Sequence, residues 1–394
     1  MPWLLRMTLL VALLMLPAVL YLIWRYRYSS RILLPESSGW SFTLPMIVGS
    51  FYLFPAAALV YFYIVGDIDI LKFPKLLTYW FWFGLVFVFQ LTTWVLIADG
   101  IQLIASFVSD QRQTIKYLFA QSLFVLFVII FCFTGWKTYR DTTQVEVNNV
   151  TLPVKNLPEK MNGFRIVHIT DIQGDEYTGR REIANYVDKI NKEQPDIVVF
   201  TGDLISYGTD FIKSSAEEFG RTAAPLGTYA VVGDHDYWAG TENVEKALQQ
   251  ENIPLLKDEN YTIEVDSSIS VLITGVTEVY SKSSSPAVVD SLTETAGAAT
   301  LKILSSHQVK DHLIQSSKNS NYDMILAGHT HGGQIHVPFL GMRFSAAGRE
   351  TPYVGGLYRE DNLPIHVNNG LGFTLAPIRY DAPPEVTVIE LSTE

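Results

Sequence analysis

The sequence contains a single cysteine, and basic residues are scarce in its C-terminal part. One cysteine, Cys132, excludes a disulfide framework within the chain and a zinc finger with cysteine ligands. After Asp141 there are 34 acidic and 19 basic residues, a formal charge of −15. So acidic a chain repels the nucleic-acid backbone, and we expect no binding to nucleic acid duplexes. An anionic substrate would therefore need local cations.

Charge is absent altogether from four long windows in the first 141 residues. They are Met7–Trp24, Ser37–Gly66, Leu76–Ala98 and Tyr117–Trp136, of 18, 30, 23 and 20 residues. Crossing the hydrocarbon core of a bilayer takes about 20 mostly apolar residues in a helix. One such window could be a signal peptide, but four of them predict a four-helix transmembrane region over residues 1–141. We expect a multi-pass protein of the cytoplasmic membrane.

The basic residues flanking these windows divide evenly between the two sides of the membrane. One side collects Arg6, Lys72, Lys75, Lys137 and Arg140, and the other collects Arg25, Arg27, Arg31, Arg112 and Lys116. The arginines from 25 to 31 directly follow the first span, which favours a cytoplasmic first loop and an extracytoplasmic C-terminal domain. Asp99 is the one ionisable residue that borders on a span, so an anchor is favoured over a transporter.

From about Gly163 the pattern changes to short β-branched runs separated by polar helical stretches, which indicates an α/β domain. The helical stretches include Arg181–Glu193 and Glu242–Glu251. The predicted strands are Phe164–Thr170, Asp196–Thr201, Thr228–Val232, Thr300–Leu304 and Met324–Ala327. Each ends at or near a residue that can bind metal, and such sheets place their sites at the carboxyl ends of strands.

The strand ends carry carboxylates and imidazoles in a set that suits two divalent cations. These residues are Asp171, Asp203, Asp234, His307, His329 and His331. An aspartate at a strand end can bridge two cations, which lower the pKa of a bound water and stabilise the oxygens of a phosphoryl group. Any one of these residues alone could be a turn or helix cap, so their combination is the signal. The remaining candidates His168, His312 and His366 are expected to be structural.

This order of motifs resembles the calcineurin-like metallophosphoesterase superfamily. The motifs are Asp171-x-Gln173, Gly202-Asp203, Gly233-Asp234-His235-Asp236, His307 and Gly328-His329-Thr330-His331. The stretch from Gly328 to Ile335 is similar to the membrane-associated bacterial branch. The resemblance implies a layered αββα sandwich over residues 163–394, joined to the transmembrane region by a linker over residues 142–162.

The resemblance also implies a role for each position. Asp171, Gln173, Asp203 and His331 would hold the first metal. Asp203 would bridge to the second, which Asp234, His307 and His329 would complete. His235 would serve the substrate phosphate or the leaving group, and Arg379 remains available as a substrate contact.

The chain departs from the family pattern at three positions. Relatives usually have His at position 173 and Asn at position 234, and many have Arg at position 369, where this chain has Gln173, Asp234 and Asn369. An oxygen ligand at residue 173 favours Mn²⁺ or Mg²⁺ over Zn²⁺ or iron, and we expect two divalent ions, with Mn²⁺ first.

Two functions are therefore open. The first is a membrane-anchored phosphoesterase that hydrolyses a phosphodiester, a phosphomonoester or a pyrophosphate, with a lipid-linked substrate as one option. The alternative is a pseudoenzyme, a membrane scaffold or receptor whose first metal site has degraded. Metal content and turnover of a generic phosphodiester distinguish the two.

Overall fold

The computed structural model describes residues 1–34, 40–66, 68 and 73–393, which fall into two compact units. The helical unit comprises Met1–Thr142, Ile335–Ser345 and Leu375–Asp381. The sheet unit comprises Thr143–Gln334, Ala346–Thr374 and the chain from Ala382 onward. Residues 37–39 of the second predicted window, Lys72 of the charge count and Glu394 lie outside the described residues.

The helical unit contains three helices long and apolar enough to span a membrane, and one bent pair. The helices are α1 (Trp3–Leu33), α2 (Thr43–Ser50), α3 (Leu53–Val65), α4 (Lys75–Val108) and α5 (Arg112–Thr143). The first, third and fourth predicted windows lie inside α1, α4 and α5. The second window corresponds to α2 and α3, which meet at 46°. The described residues thus hold three candidate spans, or four if the bent pair is one span.

Pro55 gives a physical reason for the bend. It lies in the first turn of α3, where the missing N–H of a proline is tolerated. Four residues earlier lies Phe51, whose carbonyl would clash with the proline ring in a continuous helix. Helix α2 therefore ends at Ser50, and a new helix begins at Leu53.

Close packing and one polar network hold these helices together. A side chain at Gly84 would lie 2.4 Å from the ring of Phe51, so only glycine lets α4 approach that ring. Arg25 of α1 is buried, and its Nε lies 2.7 Å from Oδ1 of Asp99 in α4. Gln102 Oε1 accepts a second hydrogen bond from Arg25 at 2.9 Å. Because an unpaired charge is costly among apolar helices, this pair fixes α1 against α4.

The sheet unit contains two six-stranded sheets. The first has the strand order β1-β16-β2-β3-β4-β5 and the second has the order β14-β15-β11-β10-β7-β6. The strands are β1 (Glu146–Val154), β2 (Arg165–Ile169), β3 (Ile197–Phe200), β4 (Thr228–Val231), β5 (Leu255–Leu256), β6 (Glu259–Asp266), β7 (Ile269–Val276), β8 (Glu278–Val279), β9 (Lys282–Ser283), β10 (Leu301–Ser306), β11 (Met324–Ala327), β12 (Val337–Phe339), β13 (Met342–Phe344), β14 (Gly356–Glu360), β15 (Leu363–Val367) and β16 (Glu385–Thr393). Strands β12 and β13 form a separate hairpin in the helical unit.

Helices cover the outer faces of both sheets, which gives the layered α/β/β/α arrangement. The helices are α6 (Arg180–Lys192), α7 (Ile212–Phe219), α8 (Asp234–Trp238), α9 (Thr241–Gln250), α10 (Pro286–Thr295) and α11 (Asp311–Asn319). Residues such as Ile166 and Ile303 pack in the cluster shared by the two sheets. Other apolar clusters join the first sheet to α6, α7 and α9, and the second sheet to α10 and α11. Each fully buried aliphatic side chain contributes about 1.5–3 kcal/mol.

The stretch predicted as a linker, residues 142–162, contains a strand in the structure. Residues 146–154 form β1, which pairs in parallel with β16 over its whole length, from Glu146 opposite Glu385 to Val154 opposite Thr393. The predicted continuous domain 163–394 also differs from the observed units, because residues 335–345 and 375–381 belong to the helical unit. The chain thus passes between the two units several times.

Candidate metal centre

The predicted ligands lie directly after five strands of the two sheets. Asp171 and Gln173 follow β2, Asp203 follows β3, and Asp234 is the first residue of α8 after β4. From the second sheet, His307 follows β10, and His329 and His331 follow β11. The predicted strands are confirmed with small differences at their ends.

Tight backbone turns aim these side chains. Five of the candidates have the left-handed backbone conformation, which non-glycine residues rarely adopt. They are Asp171, Gln173, Asp203, His329 and His331, with φ of 52°, 53°, 62°, 74° and 51°. Gly233 allows its own backbone to lie close to that of Asp203, since a side chain at position 233 would lie 2.1 Å from the backbone nitrogen of Asp203. Such strain persists where the surrounding structure holds it, and it is frequent at functional sites.

One half of the cluster is built from Asp234, His307 and His329. The Oδ2 of Asp234 lies 2.8 Å from Nδ1 of His329 and 3.3 Å from Nε2 of His307. Each of the three residues offers a ligand atom, and these atoms lie within 4.8 Å of one another. Asp234 is held in place by the backbone N–H of Tyr280, which donates to its Oδ1 at 2.5 Å. The three side chains can therefore share one cation.

The other half contains Asp171, Asp203 and His307, whose ligand atoms also lie within 4.8 Å of one another. His331 joins this half, because its Nε2 lies 3.2 Å from Oδ1 of Asp171. The amide nitrogen of Gln173 donates to Oδ2 of Asp203 at 2.8 Å. The structure thus brings together all seven predicted ligands, and His307 belongs to both halves.

Three buried ligand atoms have no hydrogen-bond partner of good geometry among the described residues. They are Oδ1 of Asp171, Oε1 of Gln173 and Nε2 of His307. The other ring nitrogen of His307 bonds the carbonyl of Thr201 at 2.8 Å, so Nε2 is the nitrogen left for a metal. A buried polar atom without a partner is costly, and metal ions in the two halves would satisfy all three. Oxygen and imidazole donors of this kind suit Mn²⁺ or Mg²⁺ and also accept zinc or iron.

The electrostatics of the first half fit a cation. Burial would raise the pKa of Asp171, but the positive charge of His331 and His307 outweighs it and holds that pKa below its usual range. Burial would likewise lower the pKa of His307, and the charge of Asp203 instead raises it. The buried carboxylates of Asp171 and Asp203 therefore favour a positive charge in this half of the cluster.

The second half shows the same effect at its more exposed edge. Burial would lower the pKa of His329, but hydrogen bonds to Asp234 and Glu350 outweigh it and raise that pKa to about 9. Protons held by such imidazoles compete with a cation for the same nitrogen atoms. Metal binding would therefore displace those protons.

Several polar residues around the ligands were not predicted from the sequence. The Nε2 of His329 lies 3.0 Å from Oε1 of Glu350 and 3.2 Å from the hydroxyl of Tyr280. Gln308 donates to Oδ2 of Asp234 at 2.9 Å. Asp236 accepts the backbone N–H of Asp203 at 2.8 Å and so fixes the turn after β3. Asp236 alone among these residues had a signal in the sequence, its place in the Gly-Asp-His-Asp motif. Glu350, Tyr280 and Gln308 follow no recognisable pattern.

The two residues predicted to contact the substrate, His235 and Arg379, belong to different units. His235 lies beside the cluster, since its backbone N–H donates to Oδ1 of Asp203 at 2.8 Å. Its ring is partly buried and meets the exposed Trp238 edge-on at 5.1 Å. Arg379 belongs to the helical unit, where its side chain is buried. Contact of either residue with a substrate remains a prediction.

The three histidines expected to be structural lie outside the cluster. His168 of β2 and His366 of β15 are both buried, and their Nδ1 atoms lie 2.8 Å apart, so the pair joins the two sheets. His312 of α11 lies 3.4 Å from Oε2 of Glu278.

Comparison with known proteins shows which proteins the part of the chain that contains this cluster is similar to. Residues 164–333 match the family model for calcineurin-like phosphoesterase, a range that includes all seven candidate ligands and His235. The chain is 26% identical over 268 residues to the uncharacterized metallophosphoesterase YkuE of Bacillus subtilis (strain 168), covering 66% of this chain and 90% of that protein. It is 27% identical over 328 residues to the uncharacterized metallophosphoesterase Cj0846 of Campylobacter jejuni, covering 79% and 82%.

A further relative is the transmembrane protein with metallophosphoesterase domain of Danio rerio. It is 28% identical over 254 residues, which are 62% of this chain and 57% of that protein, so the match spans little more than half of the relative. Among solved structures, the crystal structure of TT1561 of Thermus thermophilus aligns with 53% of this chain and 90% of that chain, at 12% identity and a TM-score of 0.37.

Proposed function

We propose that the protein is a membrane-anchored, metal-dependent phosphoesterase, because residues 164–333 match the family model for calcineurin-like phosphoesterase. The observation that carries the proposal is the convergence of seven ligand side chains, with buried unpartnered atoms on Asp171, Gln173 and His307. The reaction class is hydrolysis of a phosphodiester, a phosphomonoester or a pyrophosphate by water, without a covalent bond from the protein to phosphorus.

We propose that the two halves of the cluster hold one divalent cation each. Asp171, Gln173, Asp203 and His331 would hold the first cation. Asp203, Asp234, His307 and His329 would hold the second, with Asp203 as the shared ligand. Two such cations would supply a water of lowered pKa and would neutralise the charge of the phosphoryl group.

The residues of the chain have the task of binding and orienting the substrate. Hydrolysis adds a water oxygen to phosphorus, and the leaving-group oxygen must gain a proton as its bond breaks. His235 lies beside Asp203 and is the nearest predicted proton donor or phosphate contact. Its ring is only partly buried, so it can reach both solvent and substrate. Arg379 stays a prediction as a substrate contact, and the proposal does not depend on it, because its side chain is fully buried in the helical unit.

The donor set favours Mn²⁺ in this proposal. Gln173 offers a neutral oxygen where relatives offer imidazole, and Asp234 adds a carboxylate where they offer an amide. Both changes move the site toward harder cations, so Mn²⁺ and Mg²⁺ are preferred over zinc and iron.

We propose that the helical unit anchors the enzyme as four spans in the cytoplasmic membrane, with the bent pair α2 and α3 as one span. The acidic composition of the chain after Asp141 argues against nucleic acid as substrate. A membrane anchor brings the domain to phosphoesters at the bilayer, so a lipid-linked phosphoester is the favoured substrate.

Metal content and turnover test the proposal together. The full chain, purified in detergent and stripped with a chelator, is reloaded with Mn²⁺, Mg²⁺ or Zn²⁺ and assayed on a generic aryl phosphodiester and a panel of lipid and nucleotide phosphoesters. We expect about two equivalents of Mn²⁺ per chain and turnover that depends on the added metal. A folded chain that binds no metal and turns over nothing would overturn the enzyme and support the scaffold, the alternative favoured by Gln173 in the first site.

A further inference from the structure

A hairpin from the C-terminal half of the chain belongs to the helical unit. Its strands β12 and β13 pair in antiparallel fashion, with Phe339 opposite Met342. Leu340 and Gly341 form the connection, and both have positive φ, 49° and 80°, as a two-residue hairpin turn requires. The hairpin begins six residues after His331, so the segment that supplies two predicted metal ligands continues directly into it.

One side of this hairpin packs on α4 within the charge-free stretch 76–98. The backbone N–H of Leu340 donates to Oγ1 of Thr93 at 3.3 Å. The ring of Phe339 meets the ring of Phe89 edge-on, with centroids 6.2 Å apart. The second segment of the unit, 375–381, reaches the same stretch, because Tyr380 donates from its hydroxyl to Gln90 at 3.1 Å. The hairpin is therefore held against a helix that the sequence marks as membrane-spanning.

The turn and the β13 strand of the hairpin leave large apolar side chains uncovered. Leu340, Met342 and Phe344 are 49%, 54% and 50% exposed. Arg343 lies on the opposite face of β13 from Met342 and Phe344, and its Nε is 3.6 Å from Asp381. Three adjacent exposed apolar side chains are unfavourable in water, whereas apolar residues beside a basic one are typical of elements that lie in a membrane interface.

We propose that the hairpin 337–344 is a lipid-contacting element of the bilayer that holds α4. Leu340, Met342 and Phe344 contact acyl chains, and Arg343 lies at the level of the headgroup phosphates. Helix α4 exposes apolar residues of its own, including Trp94 and Ile97, so the same lipid serves helix and hairpin. The inference rests on the membrane anchoring in the proposed function and does not depend on the chemistry of the metal centre.

Quenching by lipid-borne nitroxide tests the hairpin. Three full-length proteins carry Cys132→Ser and one new cysteine each: Leu340→Cys in the hairpin, Ile97→Cys at an exposed position of α4 within the charge-free stretch, and Gln249→Cys at an exposed position of α9 in the sheet unit. Each is labelled with a small fluorophore and placed in phosphatidylcholine and phosphatidylglycerol vesicles with a nitroxide on the acyl chain. We expect strong quenching at residue 97, clear quenching at residue 340, and none at residue 249.

The outcomes distinguish a failure of the hairpin proposal from a failure of the membrane anchor. Quenching at residue 97 with residue 340 no more quenched than residue 249 overturns the hairpin proposal and leaves the anchor standing. No quenching at residue 97 overturns the anchor itself. If Leu340→Cys is unquenched and forms a disulfide-linked dimer on mild oxidation, a second copy of the chain covers the hairpin instead of lipid, which also overturns the proposal.

Discussion

Asp203 is the residue on which the two-metal arrangement depends most. Its Oδ2 lies between Gln173 and His307, so one charge serves both halves of the cluster. We expect Asp203→Asn to lose most bound metal and to lower activity by roughly 100-fold or more, since even partners of metal ligands cost about 10–100-fold. Metal analysis and kcat on an aryl phosphodiester measure this, with Asp188→Asn at an exposed position of α6 as the matched control. Activity near that of the control would contradict a shared ligand.

Gln173 is the residue of the first half at which the chain departs from the pattern of the family that its motifs resemble. Its unpartnered Oε1 is a weaker ligand than imidazole for borderline metals. We expect Gln173→His to tighten the first site and to shift its preference from Mn²⁺ toward zinc or iron. Competition between metals, followed by metal analysis, measures the shift. An unchanged metal profile with unchanged affinity would mean that residue 173 does not contact metal.

Glu350 positions His329 from the far side of its ring. With Nε2 bonded to Glu350, the Nδ1 of His329 faces Asp234 as a ligand atom. Partners of this kind fix the orientation of a ligand histidine, and their loss costs about 10–100-fold in metal affinity. We expect Glu350→Gln to weaken Mn²⁺ binding by that range and Glu350→Asp to retain most of it. Titration of Mn²⁺ at fixed pH measures the effect, with Glu264→Gln at an exposed position of β6 as control, and equal affinity in all three variants would refute the role.

The residues of the site show what the sequence can reveal. Asp171, Asp203 and His307 were predictable because each directly follows a short buried strand, and the ends of such strands meet at one edge of a sheet. Glu350 was not, because it reaches His329 from a loop with no periodic pattern. The family resemblance, which the match over residues 164–333 confirms, rests on the ordered motifs. It does not predict loop contacts such as that of Glu350.

At the scale of elements, the histidine pair that joins β2 and β15 has a consequence for stability. Burial lowers the pKa of His366 to about 4 and lowers that of His168 as well. In the unfolded chain both titrate near 6.5, so the unfolded state binds more protons as the pH falls from about 6.5 to about 4. Stability is therefore lost over that window, by up to about 3 kcal/mol for His366.

Thermal unfolding of the detergent-solubilised chain between pH 7 and pH 4.5 tests this expectation. We expect His366→Asn, which keeps a polar partner for His168, to reduce the loss of stability on acidification. The buried Glu385, whose Oε1 lies 3.8 Å from Nε2 of His366, faces the substituted position in both proteins. Identical acid sensitivity in the two proteins would contradict a neutral His366.

Three features at this scale could not be predicted from the sequence: the strand β1, the break between α2 and α3, and the contact of the hairpin with the helices. In β1 only Leu152 and Val154 of nine residues are buried, because it is an edge strand, so the stretch predicted as a linker has no continuous apolar run. Charge-free windows predicted α1, α4 and α5, but length alone could not reveal the break that Pro55 imposes between α2 and α3. The hairpin β12 and β13 lies far along the chain from the helices it joins, and no local pattern encodes that contact.

At the scale of the whole molecule, the basic residues beside the spans bear on membrane orientation. Two of the residues counted for this purpose form ion pairs in the structure. Arg25 is bonded to Asp99 inside the helical unit, and Lys137 forms ion pairs with two aspartates, so neither acts as a free loop charge. Each side of the count contains one of these two residues, so they do not decide between the sides. Arg27 and Arg31 remain directly after the first span, and short basic loops resist translocation most strongly. We therefore expect a cytoplasmic first loop and an extracytoplasmic sheet unit.

Cysteine labelling in intact bacterial cells tests this orientation with two variants on a Cys132→Ser background. Gln249→Cys reports the exposed surface of α9, and Gln111→Cys reports the turn between α4 and α5, which four spans place on the opposite side. A maleimide that cannot cross the membrane should label residue 249 in intact cells and residue 111 only after lysis. The reverse pattern would place the catalytic domain in the cytoplasm and favour a nucleotide-linked lipid precursor as substrate. Labelling of both residues in intact cells would contradict four spans, because α5, which separates the two positions, would then not cross the membrane.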